Sequence, residues 1–123
     1  MQEIRLMIVD DSKIMRNTIS NIAKNIPGLK IEGEANNGAV AVQIFKSLNP
    51  HVVTMDLTMP KMNGVETIGR LLEINPDVKI LVVSSLNDLT TALQAIDAGA
   101  LGFLHKPFSP EELCSKLKEI LLD

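Results

Sequence analysis

Three stretches of the chain, residues 4–10 (IRLMIVD), 51–56 (HVVTMD) and 78–84 (VKILVVS), are nearly unbroken aliphatic and β-branched runs, each ending in a polar side chain. A strand with one face in water alternates polar and apolar residues, whereas a continuous run of strand length requires both faces to be covered. Helices must therefore pack on both sides of a mostly parallel sheet. The intervening segments supply them. Met15, Ile19, Ile22 and Ile26 recur at helical spacing before Pro27-Gly28. Ala41, Ile44, Phe45 and Leu48 form a second stripe, Val65, Ile68 and Leu72 a third, and Leu89, Ala92, Leu93 and Ile96 a fourth closed by Gly99. All four read as core faces. The last helix opens on Ser109-Pro110-Glu111-Glu112, with serine at the N-cap, proline at N1 and glutamate at N3, a capping box. Leu113, Leu117, Ile120 and Leu121 follow as its inner face, with Cys114 at the edge.

Two weaker strands complete the alternation. Residues 30–35 (KIEGEA) alternate and contain Gly33, which suits an edge, and residues 101–105 (LGFLH) lie between a helix and Lys106-Pro107. Five β-α units imply an α/β fold, an open, doubly wound five-stranded parallel sheet with right-handed crossovers. Its 123 residues fit a single domain over 1–123. A net charge of -3 does not by itself suggest a nucleic-acid surface, and the lone Cys114 excludes an internal disulfide. The N-terminus lacks the layout of a signal peptide, and no apolar run approaches the ~20 residues of a membrane span, so a cytoplasmic location is expected.

Open sheets of this kind bind ligands beyond the carboxyl ends of their strands. Those ends carry Asp10-Asp11, Asp56, Ser84-Ser85 and Lys106-Pro107. Singly each has a bland explanation, a helix cap, a turn or a solvated cation. Together they converge on one rim. Carboxylates about 5 Å apart at an effective dielectric of about 20 repel by roughly 3 kcal/mol per pair. Against three such charges stands one ammonium, leaving an excess that a hard dication with oxygen ligands, Mg²⁺, would balance. Asp56 beside such an ion, with Lys106 and a hydroxyl nearby, is arranged to attack phosphorus.

The motifs IVDDS (8–12), VVTMDLTMPKMNG (52–64), VVSS (82–85) and GFLHKPF (102–108) resemble, in order, the receiver domain of two-component response regulators. The resemblance implies a CheY-like strand order of 2-1-3-4-5. It implies that Asp56 is the phospho-acceptor, that Asp11 and Asp56 ligate Mg²⁺ directly, Asp10 mainly through water, and Thr58 through its backbone carbonyl. Ser84 and Lys106 would hold the phosphoryl oxygens, the Lys106-Pro107 bond would be cis, and Ser84 with Phe103 would form the switch. His51 and His105 read as strand-end or packing residues, since neither has a partner at metal-ligand spacing. Met55, Met59 and Met62 read as core and loop packing, the last two also as candidates for a partner surface.

The implied function is a non-enzymatic, monomeric signalling switch of the chemotaxis CheY type. It is phosphorylated by a histidine kinase and binds a target protein through the face of the fourth helix, fifth strand and fifth helix. Thr58 and Leu86 supply little to orient an attacking water, so slow self-dephosphorylation and an external phosphatase are expected. The chain stops at KEILLD, as expected of a stand-alone module, although VVSSL resembles receivers joined to chemotaxis methylesterases. A haloacid-dehalogenase-type phosphatase would want an acid at position 58, where threonine stands, and a cap domain. An FMN-binding flavodoxin would want a Ser/Thr/Gly-rich loop where DDSK lies, and aromatic residues in a chain without Trp or Tyr.

Overall fold

The computed structural model describes residues 3–59, 62–85 and 89–122. In chain order the elements are β1 (Ile4–Val9), α1 (Lys13–Ala23), β2 (Leu29–Ala35), α2 (Gly38–Leu48), β3 (Val52–Met55), α3 (Gly64–Ile74), β4 (Lys79–Ser84), α4 (Leu89–Ala98), β5 (Gly102–His105) and α5 (Pro110–Leu121). The strands form one sheet in the order β2-β1-β3-β4-β5, every pair parallel. Both the five-fold alternation and the expected strand order are present.

The near-continuous apolar runs are the central strands, and alternate residues on each serve opposite layers. Met7, Val9, Val53, Met55, Ile80 and Val82 pack with Phe45, Ile68, Leu71 and Ala95 from α2, α3 and α4. Leu6, Ile8, Val52, Leu81 and Val83 pack with Ile19, Leu113, Leu117 and Ile120 from α1 and α5. The edge strand β2 is irregular. Its register on β1 slips between Leu6 and Met7, and a Cβ on Gly33 would stand 2.5 Å from Leu48 Cδ1, so the glycine lets α2 lie close on the edge.

Two details depart from the sequence reading. Helix α1 ends at Ala23, short of Pro27. A residue preceding proline is pushed out of helical geometry, and the chain tightens before it: the amides of Asn25 and Ile26 bond to the carbonyls of Ile22 and Ala23, which turns Ile26 into the core. The larger departure is α4. Its stripe is not a core face, because Leu89, Leu93 and Ile96 are 71%, 54% and 45% exposed. The inward side carries Ala95, which is fully buried, and Ala98, which packs against the same core layer. The leucine-isoleucine stripe and the alanine stripe are both apolar, so periodicity alone cannot say which turns inward.

At the carboxyl edge the chain ends are pinned. The Asp10 amide donates to Ala35 O, the Asp56 amide to Val9 O and the Lys106 amide to Ser84 O, at 3.0, 2.9 and 2.9 Å. The loops that leave these strands thus start from fixed positions along one rim.

Candidate functional site

Ser12 is the N-cap of α1, its hydroxyl accepting from the Met15 amide. Capping therefore falls to the serine, and the two preceding aspartates are left for other work. Asp10 is buried, with one carboxylate oxygen accepting from the Ser12 amide at 2.9 Å. Asp11, just beyond, is exposed. Asp56, one residue past β3, is 5% exposed, and its Oδ1 lies 3.4 Å from the Thr58 amide. Asp10, Asp11 and Asp56 bring one oxygen each within 4.8 Å of one another.

Lys106 reaches into this group from the end of β5. Its Nζ stands 2.7 Å from Asp10 Oδ2 and 3.8 Å from Asp56 Oδ1, so in this state Asp10 holds it more closely. Burial pushes the Asp56 carboxyl up to about 6; the Lys106 ammonium opposes this, Asp10 adds to it, the Thr58 amide opposes and Asp11 adds. A carboxyl in that position is partly protonated near neutrality, chiefly because burial disfavours its charged form. Three oxygen-bearing acids against one nearby ammonium suit a small divalent cation with oxygen ligands. The donor set present fits such an ion.

Ser84 is fully buried at the end of β4, beside the pinned start of the Lys106 loop. The Lys106-Pro107 peptide is cis, as expected. Phe103 is half-buried against the α2-α3-α4 layer, with its ring centroid 6.3 Å from that of the exposed His105. His51 accepts from the Arg5 amide at the opposite end of the sheet, in keeping with a strand-end role. Met55 is core, while Met59 packs at the margin of the same layer. Pro60, Lys61 and Leu86, which fall within the sequence motifs, lie outside the described residues.

Three contributors escaped the sequence reading. A Cβ on Gly64 would meet the Asp56 carbonyl oxygen at 2.4 Å, so only glycine lets α3 begin this close to the Asp56 loop. Arg16 on α1 donates to the Asp10 carbonyl oxygen at 2.8 Å and to Glu34 of β2 at 3.0 Å. The glycine of an MNG turn was visible as a turn signal. The Arg16–Glu34 pair joins residues of two different elements, and no local spacing announces it.

The family model described as "Response regulator receiver domain" matches residues 6–118. The chain is 40% identical over 116 residues to the chemotaxis protein CheY of Thermotoga maritima, covering 94% of this chain and 96% of that protein. The response regulator domain of Thermotoga maritima CheB superposes with a TM-score of 0.91 at 32% identity, covering 99% and 98% of the two chains. A CheX-CheY-BeF3-Mg²⁺ complex from Borrelia burgdorferi gives a TM-score of 0.92 at 25% identity, covering 99% of this chain and 92% of that one.

Proposed function

The chain belongs to the response regulator receiver domain family of two-component signalling, and from that premise we propose that Asp56 takes a phosphoryl group from the phosphohistidine of a sensor kinase. The observation that carries the reading is the acidic triad within 4.8 Å, with Lys106 between two of its members. An Asp56 oxygen attacks phosphorus, the P–N bond to the kinase imidazole breaks, and its electron pair returns to the ring. Asp10, Asp11, Asp56 and the Thr58 carbonyl would hold Mg²⁺, which when bound supplies charge neutralisation at the phosphoryl oxygens. Lys106 exchanges its 2.7 Å contact with Asp10 for one to the new dianion, and Ser84 donates its hydroxyl to another phosphoryl oxygen.

The protein is a switch, with no turnover on a separate substrate. Movement of Ser84 toward the phosphoryl group opens room for the Phe103 ring to turn inward, and the surface around it changes shape. Next to it lies α4, whose Leu89, Leu93 and Ile96 form an outward apolar stripe. That stripe, β5 and α5 make the surface for the downstream target, and apolar side chains this exposed suit a protein partner. The residues 1–123 act as one receiver unit in the cytoplasm. Among the described residues no helix is long and apolar enough to cross a membrane.

The near full-length similarity to a CheY supports a chemotaxis output. A receiver working beside a methylesterase is the second reading, supported by the likeness to the CheB domain. The dehalogenase and flavodoxin alternatives give way to the family match. The Borrelia neighbour, solved with Mg²⁺ and a second protein, supports both the metal and an external partner, for which a phosphatase is proposed.

Labelling by acetyl phosphate, read as the intact mass of the protein, tests the assignment. Wild type gains one phosphoryl group in the presence of Mg²⁺, and neither EDTA-treated protein nor Asp56→Asn does. Equal labelling of wild type and Asp56→Asn would refute it.

A further inference from the structure

Asp10 and Asp11 are neighbours in sequence but are held in opposite ways. Every polar atom of Asp10 is engaged: its amide by Ala35 O at 3.0 Å, one carboxylate oxygen by the Ser12 amide at 2.9 Å, the other by Lys106 at 2.7 Å, and its carbonyl by Arg16 at 2.8 Å. Asp11 is exposed, and its carboxylate makes no hydrogen bond among the described residues. Its direction is therefore inherited from the backbone. The carbonyl of Asp10 belongs to the Asp10–Asp11 peptide plane, and a planar peptide whose oxygen is fixed also fixes the departure of the next Cα.

The group that fixes this oxygen is itself clamped. Arg16 lies one turn into α1, its amide bonded to Ser12 O, and its guanidinium side chain is only 16% exposed. One arm meets Asp10 O and Nε meets Glu34 Oε1 at 3.0 Å. A planar fork can span two acceptors on different elements at once, which an ammonium cannot do with the same rigidity. Glu34 also neutralises the arginine, so the pair brings geometry to the acidic rim and little net field.

We propose that Arg16, anchored by Glu34, is a positioning residue for Asp11: it holds the Asp10 carbonyl, sets the Asp10–Asp11 peptide plane and so keeps the Asp11 carboxylate beside Asp10 and Asp56. This rests on the reading of the rim as an Mg²⁺-dependent phospho-acceptor site. A second sphere of this kind acts through ligand orientation, and losing it weakens metal binding without removing a ligand.

Charge and orientation make opposite forecasts for Arg16→Ala. Deleting a cation, with Glu34 left negative, strengthens the local negative field and would tighten Mg²⁺ binding; loss of orientation weakens it. Calorimetric titration of the folded variant with Mg²⁺ is expected to give a Kd raised by about 10- to 100-fold. In the metal-free protein, ¹⁵N relaxation is expected to show a lower order parameter at the Asp11 amide. Acetyl phosphate labelling should need correspondingly more Mg²⁺ yet reach the wild-type rate at saturation. Arg16→Lys keeps the charge and loses the fork, so it should shift in the same direction by a smaller factor. It also carries the test if Arg16→Ala does not unfold cooperatively. An unchanged or lower Kd in the folded variants overturns the proposal while leaving the phospho-acceptor reading intact. Wild type that neither binds Mg²⁺ nor is labelled at Asp56 overturns that reading itself.

Discussion

The two ends of the sheet use polar residues to opposite effect. At the amino ends of the strands, the Arg5 guanidinium donates to the carbonyls of Leu48 and Asn49 where α2 terminates, the latter at 2.8 Å. A cation there also meets the negative end of the helix dipole. The Arg5 amide donates to His51 Nδ1, and Asn75 donates to Asn49 Oδ1, both at 3.0 Å. These groups border a hollow of about 280 Å³ and hold one another in place. At the carboxyl ends, three carboxylates crowd together with Lys106 as their close cation and burial drives Asp56 up to about 6. Polar groups that satisfy one another make structure. Charge left in excess makes a place for a ligand and for chemistry.

The comparison is broken most directly by one substitution at each end. Asp56→Asn should abolish phosphoryl labelling while the protein stays folded. Arg5→Ala should do the reverse: stability falls by about 2–3 kcal/mol, from lost hydrogen bonds of a charged donor, while labelling by acetyl phosphate is unchanged. Urea denaturation gives the first quantity through a lower midpoint at constant slope. A labelling rate that drops in proportion to stability would mean that the two ends are not independent.

A second test concerns the lifetime of the proposed acyl phosphate. Thr58 is exposed with only a short hydroxyl, and Leu86 offers no hydrogen-bonding group. Decay of the purified phosphoprotein should accelerate in a Thr58→Asn, Leu86→Glu double variant, because a longer polar side chain can hold the attacking water in line. Decay no faster than wild type would show that water positioning at these residues does not set the lifetime.

The smallest effect belongs to the middle of the sheet, between the two ends. Thr54 on β3 is 1% exposed, and its Oγ1 has no hydrogen-bond partner among the described residues. Thr54→Val removes an unsatisfied buried hydroxyl and should raise stability by about 1 kcal/mol, with no change in phosphorylation. A loss of stability would reveal a partner for this hydroxyl.

The three central strands and the rim were legible because each announces itself locally. A short, β-branched, nearly continuous apolar run such as residues 78–84 fits a strand covered on both sides, and each run ends in the polar residue that the topology carries to the rim. The orientation of α4 was not legible, since leucines on one stripe and alanines on the other are both apolar. Nor was the early end of α1, where i→i+3 bonds at Asn25 and Ile26 turn the chain before Pro27 does. The Arg16–Glu34 clamp and the approach of Gly64 to the Asp56 carbonyl depend on tertiary distance, which spacing in the sequence does not encode.

The contrast between the satisfied end and the charged end is tested most directly by the metal-free unfolding free energy of wild type and Asp56→Asn as a function of pH, repeated with Mg²⁺. An unfolded aspartate titrates near pH 3.9, and in the native protein Asp56 titrates at about 6. The native state therefore binds the proton more tightly. The stabilisation this gives is full below about pH 4 and is lost as pH rises through about 6. Near pH 7 the charged Asp56 should leave metal-free wild type less stable than Asp56→Asn by about 2–3 kcal/mol. That gap should close at low pH, and Mg²⁺ should stabilise wild type more than the variant. An Asp56→Asn protein less stable than metal-free wild type near pH 7, with no response of wild type to Mg²⁺, would contradict the assignment of a buried, under-compensated carboxylate to the carboxyl rim.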